Sequence, residues 1–163
     1  MSGRPRFDPW SQADFDALPT EAANEVMPLL VQADADLSVE DAWREGARVV
    51  VNLAGWMKEP VKVPHGRLYL AWKFDDDPTA PPDPGIVRGL ARLLAERVQA
   101  GDKVVVYCAG GLNRSGLVIA QTLIELGRRP SEAVALVRAA RGKWALSNPA
   151  FESFLLDQER QSG

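Results

Sequence analysis

The segment from residue 103 to residue 126 constrains the fold more than any other part of this sequence. An apolar, β-branched stretch ends at Tyr107, a short loop with two glycines follows, and a largely apolar helix is predicted over 117–126. Apolar strands of this kind are typical of parallel sheets that helices cover on both faces. Strands alternate with helices early in the chain, and helices dominate later. We therefore predict an α/β fold with a central, mostly parallel sheet flanked by helices.

The remaining segments fit such a sheet. Strands are predicted over 29–31, 48–53, 66–71 and 103–107. Helices are predicted over 38–44, 84–98, 117–126, 131–140 and from 149 onward. Residues 1–22 are polar and contain prolines, so we expect an N-terminal extension there. Residues 23–163 are expected to form a single domain, since a chain of 163 residues is long enough for one substantial core.

Composition excludes several classes of function. The chain has one cysteine and one histidine, so it cannot form an internal disulfide, and these two residues alone cannot make a metal cluster. We expect no metal and no cofactor. The net charge of −3 and the lack of a long apolar stretch argue against nucleic acid and membranes as partners. A single unpaired cysteine favours a reducing compartment, and we expect a cytoplasmic protein.

Cys108 lies at the end of the predicted strand 103–107 and six residues before Arg114. Successive main-chain N–H groups in a short glycine-containing loop can converge on an anion, and the N-terminus of the next helix adds partial positive charge. The same helix terminus and a neighbouring arginine favour the thiolate form of a cysteine. An arginine also binds two phosphoryl oxygens in a planar fork, which lysine cannot do. This combination predicts a phosphate site above a reactive thiolate.

The pattern Cys108-x5-Arg114-Ser115 resembles the signature of the cysteine-dependent phosphatases of the protein tyrosine and dual-specificity superfamily. The resemblance covers roughly residues 25–160. Residues 72–82 are similar to the general-acid loop of these enzymes, notably to the Trp-x-Phe-Asp-Asp form found in phosphatases of regenerating liver. Residues 141–151 are similar to the end of small microbial dual-specificity-like phosphatases.

The resemblance implies a role for each matching residue. Cys108 would be the nucleophile that forms a phosphocysteine intermediate. Ser115 would hydrogen-bond the sulfur and help it leave in the second step. An aspartate of residues 72–82, which we call the acidic loop, would protonate the leaving oxygen and then activate water, and we assign this role to Asp76. The phosphate-binding residues would be Ala109, Gly110, Gly111, Leu112, Asn113 and Arg114.

Three aspartates compete for the role of general acid. Asp76 lies 32 residues before Cys108 and four after Trp72, as the resemblance suggests. Asp77 is the alternative because it lies four residues before Pro81, and Asp75 ranks third. We predict Asp76 as the general acid.

The sequence departs from the family pattern in two ways. Tyr107 stands where the family usually has a histidine that helps to set the ionisation of the nucleophile. Residues 109–113 contain no lysine or arginine, whereas phosphoinositide phosphatases of this superfamily typically carry lysines there to hold additional phosphates. The second departure favours a substrate with a single phosphate.

The predicted function is hydrolysis of phosphotyrosine in phosphorylated proteins, with phosphoserine and phosphothreonine as open alternatives. A phosphate-binding module with weak or no catalysis is a second interpretation, prompted by Tyr107. A rhodanese-like sulfurtransferase also uses a loop cysteine. The Arg114-Ser115 pair and the acidic loop argue against that third interpretation, because sulfur transfer needs no general acid of this kind.

Overall fold

The computed structural model describes residues 11–55 and 60–162. Its centre is a five-stranded sheet with the order β1-β2-β5-β3-β4. The strands are β1 (Ala23–Met27), β2 (Leu30–Ala33), β3 (Ala47–Asn52), β4 (Leu68–Ala71) and β5 (Lys103–Tyr107). Neighbours from β2 to β4 pair in parallel, whereas β1 runs antiparallel to β2. The predicted α/β fold is confirmed, and the strand that ends at Tyr107 is central.

Helices surround this sheet. They are α1 (Gln12–Asp16), α2 (Val39–Arg44), α3 (Pro84–Gln99), α4 (Arg114–Glu125), α5 (Pro130–Arg141) and α6 (Pro149–Gln161). Helix α4 begins three residues earlier than the predicted start at 117, so its first turn includes Arg114 and Ser115. No helix within the described ranges has both the length and the apolar character to cross a membrane.

The first hairpin differs from the prediction. The sequence predicts a first strand over 29–31, but Leu29 has a φ of 72° in the turn and β2 begins at Leu30. Strand β1 was not predicted because Asn24 and Glu25 interrupt its apolar pattern. It forms at the edge of the sheet by pairing with β2. Helix α1 lies in the predicted extension, of which residues 1–10 fall outside the described part of the chain.

Side chains along β5 alternate between the two faces of the sheet, and this alternation determines where the side chains at its end lie. Val104 and Val106 pack on the face of the sheet covered by α3 and α4, and Cys108 continues this series just beyond the strand. Val105 and Tyr107 pack on the opposite face. Successive side chains of a strand point to opposite faces, so Cys108 and Tyr107 lie on different sides of the sheet.

Candidate active site

Cys108 is placed between β5 and the first turn of α4. Its side chain is only 2% exposed, and its Sγ lies 3.2 Å from the hydroxyl of Ser115. Ser115 is fully buried in the first turn of α4. The structure therefore brings the predicted nucleophile and the predicted sulfur partner into contact, seven residues apart in sequence.

Three of the carbonyl groups of residues 109–113, which we call the glycine loop, are bonded to the protein around them. The bonds run from Ala35 N–H to Ala109 O at 3.2 Å, from Leu146 N–H to Leu112 O at 3.1 Å, and from Gln32 Nε2 and Arg141 Nε to Gly111 O at 3.0 and 3.1 Å. Three separate parts of the chain thus hold the outer side of the loop.

These bonds also orient the N–H groups of the loop. A trans peptide is planar, so its N–H points away from its carbonyl oxygen. With the carbonyls turned outward, the N–H groups of Gly110, Leu112 and Asn113 point to the inner side of the loop. None of these three groups donates to another described residue. Unpaired N–H groups on a concave side form an anion-binding site.

Gly111 could not be replaced by a residue with a side chain. Its φ of +65° lies in the left-handed region that favours glycine. A Cβ at this position would lie 2.5 Å from Arg141 Nη2 and 2.9 Å from the Ala33 carbonyl oxygen. The close approach of Arg141 and β2 to the loop therefore depends on this glycine.

The N-terminus of α4 carries no side-chain cap. Asn113 occupies the N-cap position, but its side chain makes no capping hydrogen bond and reaches towards the acidic loop instead. Arg114 is half-buried at the first helical position, and its Nη1 donates to Leu53 O at 3.4 Å, just beyond β3. The partial positive charge of the helix N-terminus is thus left available to an anion in the loop.

Asp76 is held against the glycine loop. Its Oδ2 accepts from Asn113 Nδ2 at 3.0 Å, and its Oδ1 accepts from Asn148 Nδ2 at 2.6 Å. Trp72 and Phe74, earlier in the same loop, are in contact, with ring centroids 4.6 Å apart and ring planes tilted by 45°. The acidic loop therefore contacts the predicted phosphate site through Asp76.

Asp77 is turned to its own segment. Its Oδ1 accepts from the Thr79 hydroxyl at 2.6 Å and from the Thr79 N–H at 2.8 Å. These hydrogen bonds hold the pKa of Asp77 below its ordinary value, the hydroxyl bond being the larger cause. A carboxylate that stabilises a local turn in its charged form is poorly suited to donate a proton across the site.

Asn148 connects the acidic loop to the last helix. Its Oδ1 caps α6 by accepting from the N–H groups of Ala150 and Phe151. Its Nδ2 donates to Asp76 and to Asp77 O. Asn148 is a site residue that was not predicted, because its contact to Asp76 joins positions 72 residues apart.

Gln32 and Arg141 are two further residues that the sequence analysis did not assign to the site. Both are almost completely buried, and both donate to Gly111 O. Arg141 also donates to Asn24 Oδ1 at 2.7 Å and to Glu21 O at 2.9 Å, which ties the first hairpin to the glycine loop. A glutamine within an apolar strand is a signal that could have drawn attention to Gln32.

The side chain of Tyr107, at the position of the usual histidine, packs on the face of the sheet opposite Cys108. Its hydroxyl lies 3.1 Å from that of Tyr69, which also accepts from Asn52 Nδ2 at 3.0 Å. Burial raises the pKa of Tyr107 well above its ordinary value, and the bond to Tyr69 adds to this. Tyr107 is therefore a neutral hydrogen-bonding residue on the opposite face of the sheet.

Within the described ranges, no group of three histidine, cysteine, aspartate or glutamate side chains is arranged to hold a metal ion. The Ser115 hydroxyl contacts Cys108 Sγ, and the loop that follows Cys108 presents main-chain N–H groups. These suit the binding of an oxyanion.

The chain has relatives of known family among other proteins. No family model matches the chain. The chain is 33% identical over 132 residues to protein tyrosine phosphatase type IVA 2 of Mus musculus, covering 76% of this chain and 77% of that protein. It is 32% identical over 132 residues to the human type IVA 3 protein, covering 76% and 75%.

Solved structures show the same fold. Human DUSP28 superposes with a TM-score of 0.73 at 24% identity, covering 90% of this chain and 98% of that chain. The tyrosine phosphatase OH1 of Orf virus superposes with a TM-score of 0.65 at 21% identity, covering 87% and 88%. The chain belongs to the superfamily of cysteine-dependent protein tyrosine and dual-specificity phosphatases. Its sequence relatives include the type IVA phosphatases.

Proposed function

We propose that the protein is a phosphomonoester hydrolase that acts on phosphotyrosine in proteins through a phosphocysteine intermediate. The observation that carries this proposal is the position of Cys108 before a loop in which three carbonyls are bonded to the surrounding protein, so that the N–H groups of Gly110, Leu112 and Asn113 point to its inner side. The uncapped N-terminus of α4 adds positive potential to the same place. Membership of the phosphatase superfamily supports the proposal.

In the first step the thiolate of Cys108 forms a bond to phosphorus while the bond from phosphorus to the leaving oxygen breaks. The electron pair of that bond goes to the leaving oxygen, which takes a proton from Asp76. Arg114 and the inward N–H groups stabilise the charge on the phosphoryl oxygens. The contact between Asp76 and Asn113, a member of the loop, supports Asp76 as the acid.

In the second step a water oxygen forms a bond to phosphorus and gives its proton to the Asp76 carboxylate. The phosphorus–sulfur bond breaks, and its electron pair returns to Cys108 as a thiolate. Ser115, whose hydroxyl lies 3.2 Å from the sulfur, donates a hydrogen bond to that thiolate. Inorganic phosphate then leaves the loop.

The proposed substrate class follows from the charge of the loop. Residues 109–113 carry no lysine or arginine that could bind additional phosphate groups. Arg114 and the main-chain N–H groups suffice for one phosphate. Two relatives are named as protein tyrosine phosphatases, which supports phosphotyrosine as the primary substrate. Phosphoserine and phosphothreonine are the secondary substrates to test, and a cytoplasmic location stays part of the proposal.

A phosphate-binding module without useful turnover is the second candidate, and one observation favours it. The side chain of Tyr107 lies on the face of the sheet opposite Cys108, so it takes no part in activating the sulfur. Such a module would keep the loop, bind phosphate and hydrolyse little.

Turnover of an aryl phosphate and of a phosphotyrosine peptide tests the proposal. We expect hydrolysis by the native protein and its loss in both Cys108→Ser and Arg114→Ala. Phosphate binding by calorimetry is measured on the same proteins. Binding without turnover in the native protein would favour the module, and undiminished turnover in Cys108→Ser would refute the proposed mechanism.

A further inference from the structure

Gln32 is a polar side chain within an otherwise apolar stretch of β2. It is fully buried, and its Nε2 donates to Gly111 O at 3.0 Å and to Ser115 Oγ at 3.1 Å. Its Oε1 is also buried and has no hydrogen-bond partner among the described residues. A buried acceptor without a partner lowers stability. Packing alone therefore does not account for a glutamine at this position.

The orientation of the Gln32 amide is fixed by its neighbour. Gly111 O can only accept a hydrogen bond, so the group that faces it must be the NH2 group of Gln32. The same NH2 group donates its other proton to Ser115 Oγ. Ser115 thus accepts a hydrogen bond from Gln32, and its own single proton must be given to another acceptor.

Two acceptors compete for the Ser115 proton. One is Cys108 Sγ at 3.2 Å, which donates to the Ser115 hydroxyl as a thiol but can only accept from it as a thiolate. The other is Gly111 O, which is bonded to the same Gln32 NH2 group as Ser115 Oγ.

The second acceptor is already occupied. Gly111 O accepts from Gln32 Nε2 and from Arg141 Nε, and a carbonyl oxygen has two lone pairs. The Ser115 proton is therefore left to the sulfur of Cys108. Gln32 contributes twice to this outcome, by donating to the hydroxyl and by blocking the competing carbonyl.

We propose that Gln32 is a positioning residue that directs the Ser115 hydroxyl proton onto the sulfur of Cys108. The inference rests on the proposed phosphatase function and adds a residue to it. A directed hydrogen bond stabilises the thiolate that forms when the phosphorus–sulfur bond breaks. Gln32 therefore assists the breakdown of the phosphocysteine more than its formation.

Gln32→Met tests this role. Methionine keeps the unbranched shape of the side chain and removes both the Nε2 donor and the buried Oε1 acceptor. Because the unpaired acceptor is removed, we expect the melting temperature of the variant to be no lower than that of the native protein. With an aryl phosphate that has a good leaving group, kcat should fall about tenfold. Removing a donor that contacts the reacting atoms directly would cause a larger loss. KM should fall in parallel, since the intermediate accumulates. Rapid mixing should then show a burst of aryl alcohol equivalent to the enzyme.

Two comparisons sharpen the result. Ser115→Ala should show the same burst, and adding Gln32→Met to it should change kcat little, because the two residues act as one unit. Gln121→Met is the matched control. Gln121 is 1% exposed in α4 and pairs with Gln158 and Glu125, away from the glycine loop, so its loss should leave kcat and KM unchanged.

Native kinetic constants in Gln32→Met, or a lower kcat/KM without a burst, would overturn the inference while leaving the phosphatase function intact. Retained turnover in Cys108→Ser would refute the function instead. A crystal structure of Gln32→Met decides the inference independently of turnover. Rotation of Ser115 Oγ onto Gly111 O supports the role of Gln32, and an unchanged contact between Ser115 and Cys108 contradicts it.

Discussion

At the scale of single residues, neighbouring glycines in the glycine loop have different roles. Gly111 has a positive φ and no room for a Cβ, whereas a Cβ on Gly110 would meet no atom within 4 Å. Only Gly111 brings its carbonyl within reach of both Gln32 and Arg141. The loop therefore depends on one of its two glycines for its shape.

Gly111→Ala should destabilise the protein by about 2–4 kcal/mol, since it combines backbone strain with steric overlap against Arg141 and Ala33. It should also weaken phosphate binding, because the carbonyl at 111 no longer orients the next N–H group. Urea unfolding and phosphate titration measure the two effects. Gly110→Ala is the matched control and should change both little; equal losses in the two variants would contradict this account.

The choice between two adjacent aspartates also belongs to the residue scale. Asp76→Asn should lower turnover of a phosphotyrosine peptide about 100-fold or more, since it removes the proposed proton donor. Asp77→Asn should lower it little, because Asp77 bonds Thr79 within its own turn. Steady-state kinetics on both variants decide the assignment. A larger loss in Asp77→Asn would transfer the role to Asp77.

At the scale of the elements, the N-terminus of α6 joins a helix to the acidic loop. Asn148 caps the helix with its oxygen and bonds Asp76 with its nitrogen. One side chain thus stabilises α6 and places the proposed acid. The two contributions are separable because serine can cap a helix but cannot donate from the position of an amide nitrogen.

Asn148→Ala should cost about 1 kcal/mol of stability through the lost cap, and Asn148→Ser should cost much less. Both should lower turnover of substrates with poor leaving groups, since each removes the donor to Asp76. Substrates with good leaving groups need little protonation and should be affected less. If turnover falls only as much as stability does, so that Asn148→Ser keeps nearly native turnover, Asn148 acts through the helix cap alone.

Elements differ in how far sequence alone predicts them. Strand β5, the glycine loop and α4 are contiguous, so one local pattern was enough to predict their order and to direct attention to Cys108. Strand β1 was missed because its polar residues become a strand only through pairing with β2. The contacts of Gln32 and Asn148 with the site span 79 and 72 positions. Such contacts depend on the arrangement of the whole sheet, which a local pattern does not contain.

At the scale of the whole molecule, the two faces of the sheet have separate chemistry. The face with Cys108 carries the proposed reaction, and the other face buries Tyr107 in contact with Tyr69. Because its side chain lies on that second face, Tyr107 should influence stability at high pH more than catalysis. Tyr107→Phe is therefore expected to leave turnover near the native value.

The raised pKa of Tyr107 sets the direction of the pH effect. Above about pH 10 the tyrosine of the unfolded chain loses its proton, whereas Tyr107 in the folded protein retains it. The unfolded state then binds fewer protons, so stability falls as pH rises from about 10 towards the folded-state pKa and is unaffected below that range. The free energy of unfolding, measured with urea at pH 8 and above pH 10, should decline less in Tyr107→Phe than in the native protein. An equal decline in the two proteins would contradict the burial of the Tyr107 side chain.

The central claim is that Cys108 forms a covalent bond to the phosphoryl group held by the glycine loop. Acid quenching of Ser115→Ala during turnover of an aryl phosphate, followed by peptide mapping with mass spectrometry, tests it most directly. We predict a phosphoryl group on the peptide that contains Cys108, and none on that peptide after Cys108→Ser. Turnover without an adduct, or an adduct on another residue, would contradict the claim.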